Sequence, residues 1–346
     1  MESRESKPSW SDVPRELVAQ LSDLLGARIT DADIVWGGFG PSATFLIRTD
    51  DDRKFFCKGS HLGSTEAGKK ALLRERVIYE SLPQSSKFGP AFHGAIGDGE
   101  WQLLVLEFVE RVRDVPPWSA DAFRSTVRML ARFHGAMPSH ARTVLLDAET
   151  EPLTADLYAA RPGWRHIAKS DQDRNALLAL FADPAAAAKW IDRNIGDFIA
   201  LEQEATRLDG PRSWIHLDVR SDNLIFRRAG EPTLVDWPFL SYGPMLMDVA
   251  FFLPSVAGES GPPPHEGLTL YEHESVIRFD EHQVRVTVAV VAGFFAARAG
   301  QPPIPGLPRL RWVQALQLCP CLDWISGLMN IEPPPAPLQR GSADMH

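Results

Sequence analysis

Asp218, Asn223 and Asp236 are the residues whose types and spacing could do chemistry together in this chain of 346 residues. Residues 214–237 read WIHLDVRSDNLIFRRAGEPTLVDW, with Asp218 and Asn223 on a loop, an apolar strand at 224–226, a turn at 229–232, and Asp236 ending a second strand. A hairpin brings its two ends together, so the two carboxylates and the amide oxygen are expected to converge. Such a hard-oxygen set is of the kind that holds Mg²⁺ against a polyphosphate. That chemistry is phosphoryl transfer, and it predicts phosphate-handling residues elsewhere in the chain.

Candidates lie upstream. The turn WGGFGPS, residues 36–42, falls between two strand-like runs. Its glycines, Gly38 among them, let backbone N–H groups approach phosphate oxygens, and Ser42 closes the turn. The run also reads as an ordinary glycine-rich hairpin turn, and it matches neither a P-loop nor a full GxGxxG. Lys58 ends the strand FFCK, where alternation puts Phe56 and Lys58 on one face and Phe55 and Cys57 on the other. A lysine there can simply snorkel to water. Glu75, further on in a helical segment, reads alone as part of a solvated face. Together the pair reads as an ammonium held in place to grip nucleotide phosphates.

His216 has three readings: metal ligand, general base or structural hydrogen-bonder. Its place after Trp214 and Ile215 favours the last. Asp218 is the better base, placed to accept a substrate hydroxyl proton. Arg220 reads as a phosphate contact or a solvent-facing charge, and Asp222 as a further charge on the loop. Asp248, near the start of a later helix, reads as a cap or as a brace for the loop.

These residues need elements to position them. A first helix is expected at 11–26, with Ser11 or Asp12 as cap, Pro14 in the first turn and Gly26 at its end. Strands follow at 34–36, 43–48 and 54–58, the last two joined by a polar turn, then a helix at 65–82 and strands near 91–96 and 101–108. Residues 1–108 therefore read as a nucleotide-binding lobe with a five-stranded sheet. A hinge connector at 109–117 leads to a helical lobe at 118–332 that contains the hairpin 214–237, with helices at 120–136, 175–181, 184–207, 245–253, 280–299 and 309–328. Residues 333–346 read as a flexible tail. The expected fold class is α+β and bilobal, a small antiparallel-sheet lobe beside a larger, mainly helical one, with ligands in the cleft between them.

Composition narrows the partners. Hydrophobic residues at 44% and charged residues at 23% are those of a globular chain. A net charge of −9 argues against nucleic acid and is compatible with a cationic small substrate. Cys57, Cys319 and Cys321 lack zinc spacing and read as reduced thiols, which points to the cytoplasm. The N-terminus carries no signal-peptide pattern, and the apolar runs fall short of the roughly 20 residues that span a bilayer, so no membrane partner is expected.

Four segments give the chain a resemblance. HLDVRSDN at 216–223 resembles the H-G-D-x-x-x-x-N loop of the aminoglycoside phosphotransferase and choline kinase families, which share a protein-kinase-like fold. LVDW at 234–237 is similar to their I-D-W metal motif, Gly243, Pro244 and Asp248 to their G-P-x-x-D helix start with one more residue before the aspartate, and LARFH at 130–134 to their L-A-x-L-H helix. The resemblance implies that Asp218 orients and deprotonates an acceptor hydroxyl, that Asn223 and Asp236 bind Mg²⁺, and that Lys58, paired with Glu75, binds the phosphates of ATP or GTP. It implies that the backbone around Glu107 and Val109 meets the purine, with Ile225 beneath it. The implied acceptor is a small-molecule hydroxyl, on an aminoglycoside-like antibiotic or an amino-alcohol metabolite. Two departures stand out: Leu217 replaces the usual glycine, and Arg220, Ser221 and Asp222 replace the usual His-Pro-Gly. The HRD, DFG and APE features of protein kinases are missing, which argues against a protein substrate.

Two other readings were open. A catalytically idle kinase-like binding protein is disfavoured because lysine, base and metal aspartate are all retained. A metal-dependent hydrolase using His216, Asp218 and Asp236 would lack a nearby second histidine and leave Lys58 without a role. Segments 151–208 and 272 onward are expected to wall the acceptor pocket. Their acids Asp192, Asp197, Glu202, Glu204, Asp280, Glu281 and Asp323 either meet cationic groups or form solvated faces.

Overall fold

The chain enters its fold through a 3₁₀ turn, Trp10–Asp12, followed by helix α1, Arg15–Leu25. Asp12 does not cap that helix. Its carboxylate accepts the Ser9 N–H at 2.7 Å and closes the 3₁₀ turn, so α1 starts only after Pro14. Leu17, Leu21 and Leu25 recur at helical spacing and bury one face, and Gly26 ends the helix at φ 63°, which glycine adopts without strain. This computed structural model describes residues 7–36, 42–82, 85–136, 163–228, 232–304 and 307–338.

Strands β1 (Ile29–Ile34), β2 (Ala43–Thr49), β3 (Lys54–Ser60), β4 (Phe92–Gly97) and β5 (Gln102–Glu107) form one antiparallel sheet in the order β1-β2-β3-β5-β4. β1 lies earlier than the apolar run at 34–36. It is an edge strand whose Asp31 and Asp33 face solvent and pair with Arg48 at 2.5 and 2.7 Å, so its pattern is polar. Phe45, Ile47, Phe55, Cys57, Leu103 and Val105 pack against α1 in a core of their own. Helix α2 (Glu66–Ser81), capped by Thr65 accepting the Gly68 N–H at 3.1 Å, covers the other side. Its Ile78 and Tyr79 join Leu82, Leu106 and Phe88 of the short helix α3 (Ser85–Phe88) in the core of the helical lobe. α2 is therefore a shared wall between the lobes.

The helical lobe holds α4 (Ala120–Ala136), α5 (Trp164–Lys169), α6 (Asp171–Leu178), α7 (Pro184–Glu204), α8 (Met245–Gly258), α9 (Pro264–Ser275), α10 (Glu281–Ala296) and α11 (Leu310–Met329). Two short antiparallel pairs sit among them: β6 (Arg212–Ile215) with β9 (Ser241–Pro244), and β7 (Leu224–Phe226) with β8 (Pro232–Leu234). The pattern at 245–253 ends before Pro254, yet α8 runs on to Gly258. It is buried continuously from Met245 to Val256, and that packing outweighs the proline's missing N–H. Of the segment read as a tail, Ala336 and Leu338 exchange backbone hydrogen bonds with Ala182 and Leu180 at 3.0 and 2.8 Å. No helix among the described residues is long and apolar enough to cross a membrane.

Candidate active site

β3 carries Lys58 into the cleft because Phe55 and Cys57, its odd-numbered neighbours, are buried against α1. Nζ lies 2.7 Å from Glu75 Oε2 on α2 and also pairs with Asp236 Oδ1. Glu75 is almost wholly buried, and its other oxygen accepts the Trp237 N–H at 3.3 Å. Arg74, its buried neighbour, donates to the carbonyls of Pro238 and Leu240 at 2.9 and 2.7 Å. α2 thus holds both the lysine and the chain that follows Asp236. Burial opposes charge on Lys58, but Asp236 and Glu75 outweigh it and hold the ammonium above its ordinary value. Burial likewise opposes charge on Asp236, and the Lys58 ammonium outweighs it, keeping this carboxyl below its usual range.

Asp218 follows β6, on the loop that ends in a 3₁₀ turn at Ser221–Asn223. The Asn223 amide donates to its carbonyl and to its Oδ2, both at 2.9 Å. Arg220 approaches the same carboxylate with Nε 3.1 Å from Oδ1 and Nη2 3.3 Å from Oδ2, while Nη2 lies 3.2 Å from Asp222 Oδ2. Its side chain is only 15% exposed, so the solvent-facing reading of Arg220 does not hold. Burial raises the Asp218 carboxyl above its ordinary value despite the guanidinium, and it raises Asp222 in the same way.

The loop is braced from beneath. Leu217, in place of glycine, has φ 63°, a left-handed conformation costing a branched residue about 1–2 kcal/mol. Asp248, fully buried in the first turn of α8, accepts the His216 and Leu217 N–H groups at 2.7 and 2.5 Å and so fixes that turn. It also meets His134 Nε2 of α4 at 3.1 Å, and His134 Nδ1 meets the Tyr271 hydroxyl at 2.6 Å. A carboxylate only accepts, so Nε2 carries the proton and Nδ1 accepts from Tyr271. Of the two readings of Asp248, the structure has the loop brace. His216 is fully buried, edge-on to Trp237 with ring centroids 5.0 Å apart, and burial pulls its pKa down. Its ring holds a structural place in the core, with neither nitrogen engaging a side-chain partner.

Of the residues expected to meet a purine, Val109 is buried and Ile225 half-buried on β7. The Glu107 N–H already donates to the Ala91 carbonyl at 2.8 Å, and the Glu107 carboxylate takes a two-pronged contact from Arg227, 2.5 and 2.9 Å, across the hinge. Ser42 sits half-buried just before β2, and Gly38 lies outside the described residues. Beside Arg220 a cavity of about 60 Å³ is lined by Arg220, Asp222, Ser255, Glu259, Trp312 and Gln317, among others. Glu259, just past α8, accepts from the Ser221 hydroxyl at 2.6 Å and Trp118 Nε1 at 2.7 Å.

Residues 33–286 match the model of the phosphotransferase enzyme family, APH. The chain belongs to this family. No curated protein matches it by sequence. Among solved structures, the phosphotransferase is similar to an aminoglycoside phosphotransferase from Alicyclobacillus acidocaldarius subsp. acidocaldarius DSM 446 at 15% identity and a TM-score of 0.58, covering 92% of this chain and 96% of that one. It is similar to the choline kinase LicA from Streptococcus pneumoniae at 15% identity and a TM-score of 0.54, covering 91% and 98%. The spectinomycin phosphotransferase APH(9)-Ia, in complex with ADP and spectinomycin, matches at 14% identity and a TM-score of 0.54, covering 88% and 93%. These likenesses establish the protein-kinase-like fold.

In this phosphotransferase the donor set suits Mg²⁺. Asp236 pairs with Lys58 through one carboxylate oxygen and has 37% of its side chain exposed, and the Asn223 amide nitrogen is turned to Asp218, which leaves its oxygen for other partners. Among the described residues no three acidic, histidine or cysteine side chains form a ready-made cage. Mg²⁺ usually takes one or two protein oxygens plus substrate phosphates, so two donors are sufficient.

Several acids offered by the sequence are engaged elsewhere. Glu202 is buried and accepts three successive N–H groups, from Gly163, Trp164 and Arg165, at the start of α5. Glu204 pairs with His282, Asp192 with Arg174 and Glu281 with Arg285, while Asp280 caps α10. The carboxylates that do line the cavity are Asp222 and Glu259. No local pattern marks Glu259, because its partners Ser221 and Trp118 lie 38 and 141 positions away.

Proposed function

We propose that this phosphotransferase is a small-molecule kinase that moves the γ-phosphoryl group of ATP or GTP to a hydroxyl of a small acceptor. The observation that carries the reading is the pairing of Lys58 with Glu75 and Asp236, beside an Asp218–Asn223 pair tied to the strand before Asp236 by the Val235 N–H on the Asn223 carbonyl, in a chain that belongs to a phosphotransferase family. Lys58 grips the nucleotide phosphates, and Glu75 keeps it extended. Asn223 and Asp236 would hold Mg²⁺, which neutralises charge on the phosphates when bound. Asp218 orients the acceptor hydroxyl and takes its proton. The acceptor oxygen bonds to the γ-phosphorus, and the bond to the β–γ bridging oxygen breaks, its electron pair leaving with the nucleoside diphosphate. Glu107 and Val109 supply backbone groups to the purine and Ile225 packs below it. Residues 37–42, with Gly38 and Ser42, cover the phosphates.

The cavity beside Arg220 takes the part of the acceptor next to its hydroxyl. Asp222 and Glu259 outnumber Arg220 there, which favours an amine-bearing acceptor such as an aminoglycoside-like antibiotic or an amino alcohol. A screen of ADP and GDP release across aminoglycosides, macrolides, peptide antibiotics, choline and amino sugars, with Asp218→Ala as background, tests the reading. A compound that raises release above that background with one nucleotide and Mg²⁺ supports it. Silence across the set with both nucleotides favours the idle binding protein.

A further inference from the structure

Arg220 stands where the resembled families carry histidine, and its guanidinium lies against the carboxylate assigned as base. Nε and Nη2 reach both Asp218 oxygens at 3.1 and 3.3 Å, and the side chain also forms part of the cavity wall. An acceptor hydroxyl bound to Asp218 would lie about 2.6–3.2 Å from the same carboxylate. Attacking oxygen and guanidinium therefore flank one group and come within about 4–6 Å of each other. The transferred phosphoryl group sits against that oxygen during transfer, so a guanidinium bound to the same carboxylate is placed as its nearest cationic candidate on the loop.

Arginine differs from histidine here in two ways: it stays charged across the working pH range, and it presents a planar fork of donors suited to phosphate oxygens. The charge flow of the reaction then favours a transfer of partners. Asp218 loses its negative charge as it takes the hydroxyl proton, whereas the equatorial phosphoryl oxygens keep theirs. Attraction on the guanidinium shifts from the first to the second while the acceptor O–P bond forms and the bond to the bridging oxygen breaks.

We propose that Arg220 is a catalytic residue of this chain, a guanidinium supplied in cis that passes from Asp218 to the transferred phosphoryl oxygens. The proposal rests on the kinase reading above. The competing role is a staple that merely ties Asp218 to Asp222 within the loop.

Calorimetric binding of ADP–Mg²⁺ and GDP–Mg²⁺ to the full chain, with and without aluminium fluoride, separates these roles. Aluminium fluoride with the diphosphate mimics the planar phosphoryl group and needs no acceptor. Fluoride should tighten binding to the wild type. Arg220→Gln and Arg220→Ala should keep their affinity for the plain diphosphate and lose at least about tenfold of the fluoride-dependent gain, with Arg220→Lys restoring part of it. The proposal is overturned if Arg220→Gln keeps the full gain, if the wild type binds the diphosphate with no gain, or if the variants lose plain diphosphate affinity to the same extent. A wild type that binds neither diphosphate with Mg²⁺ overturns the kinase reading itself and the proposal with it.

Discussion

On the phosphate side of the cleft, Lys58 of β3 meets Glu75 of α2 and Asp236 beyond β8, the last 178 positions away, and Arg74 binds the Pro238 carbonyl over 164 positions. On the acceptor side, Arg220 is held by Asp218 and Asp222, each two positions from it on its own loop. Long-range contacts lock three elements to one another, so a change in any of them disturbs the others. Short-range contacts let a loop change its side chains without disturbing the frame. The departures from the resembled families at 220–222 lie in the segment that holds Arg220 locally, although Ser221 reaches Glu259 38 positions on, and they form part of the cavity wall. Under the proposed function the first region would hold the nucleotide phosphates, and the second, with Asp218 and Arg220, would meet the acceptor.

The largest expected effect tests that division. Asp218→Ala removes a proton acceptor, and general-base help is worth about 10²–10⁴ in rate. Asp236→Ala removes a hard oxygen, a Lys58 partner and charge stabilisation at the phosphates, so its loss should equal or exceed that of Asp218→Ala. The comparison is made on kcat/KM for the acceptor found by the screen. A clearly larger loss in Asp218→Ala would mean that positioning at the phosphates is not the dominant contribution, and the contrast between the two regions would be misplaced.

Legibility in the sequence follows the same division. Lys58 and Glu75 are readable because they stand on elements with clear periodicity, and Asp218, Asn223 and Asp236 because a short loop and hairpin bring them together; the helices bearing Glu75 and His134 have bounds close to those expected. Elements without such a signal were missed. β6 and β9 are four residues each, too short to alternate visibly, and α9 begins with Pro264 in a stretch whose prolines read as loop. A proline at the first helical position is in fact well tolerated. Glu202 and Glu204 lie on a helix but are occupied by backbone amides and a histidine brought in from elsewhere, which depends on tertiary packing, whereas Asp280 caps the helix it precedes. Arg220 was open to two readings for a similar reason: a charged residue on a loop gives no sign that two carboxylates of that loop will fold back on it.

The brace under the loop comes next in size. Asp248→Ala leaves the His216 and Leu217 N–H groups and His134 Nε2 buried without their acceptor. Each such loss costs about 1–3 kcal/mol, so denaturant unfolding should show several kcal/mol of destabilisation. Ser221→Ala, which breaks only the contact to Glu259, should cost about 1 kcal/mol. Equal losses in the two variants would erase the distinction between a locked frame and an adjustable loop.

The smallest effect concerns the cavity wall. Burial raises the Glu259 carboxyl above its ordinary value, and the Ser221 and Trp118 donors only partly offset this. An acid raised in the folded chain binds its proton more tightly there than in the unfolded chain. Its ionisation therefore removes stability as pH climbs from the ordinary carboxylate range through the raised folded value. Glu259→Gln keeps an acceptor oxygen for one of the two donors and has no charge to bury. The variant should gain on the wild type as pH rises from about 4 to 8 and lose that advantage on the way back down, an effect of about 1 kcal/mol at most. Thermal unfolding of both proteins across that range measures it. A difference that stays flat with pH would mean that the Glu259 carboxylate is as comfortable in the folded chain as in water, and the acceptor side would then carry no unmet demand for a cation.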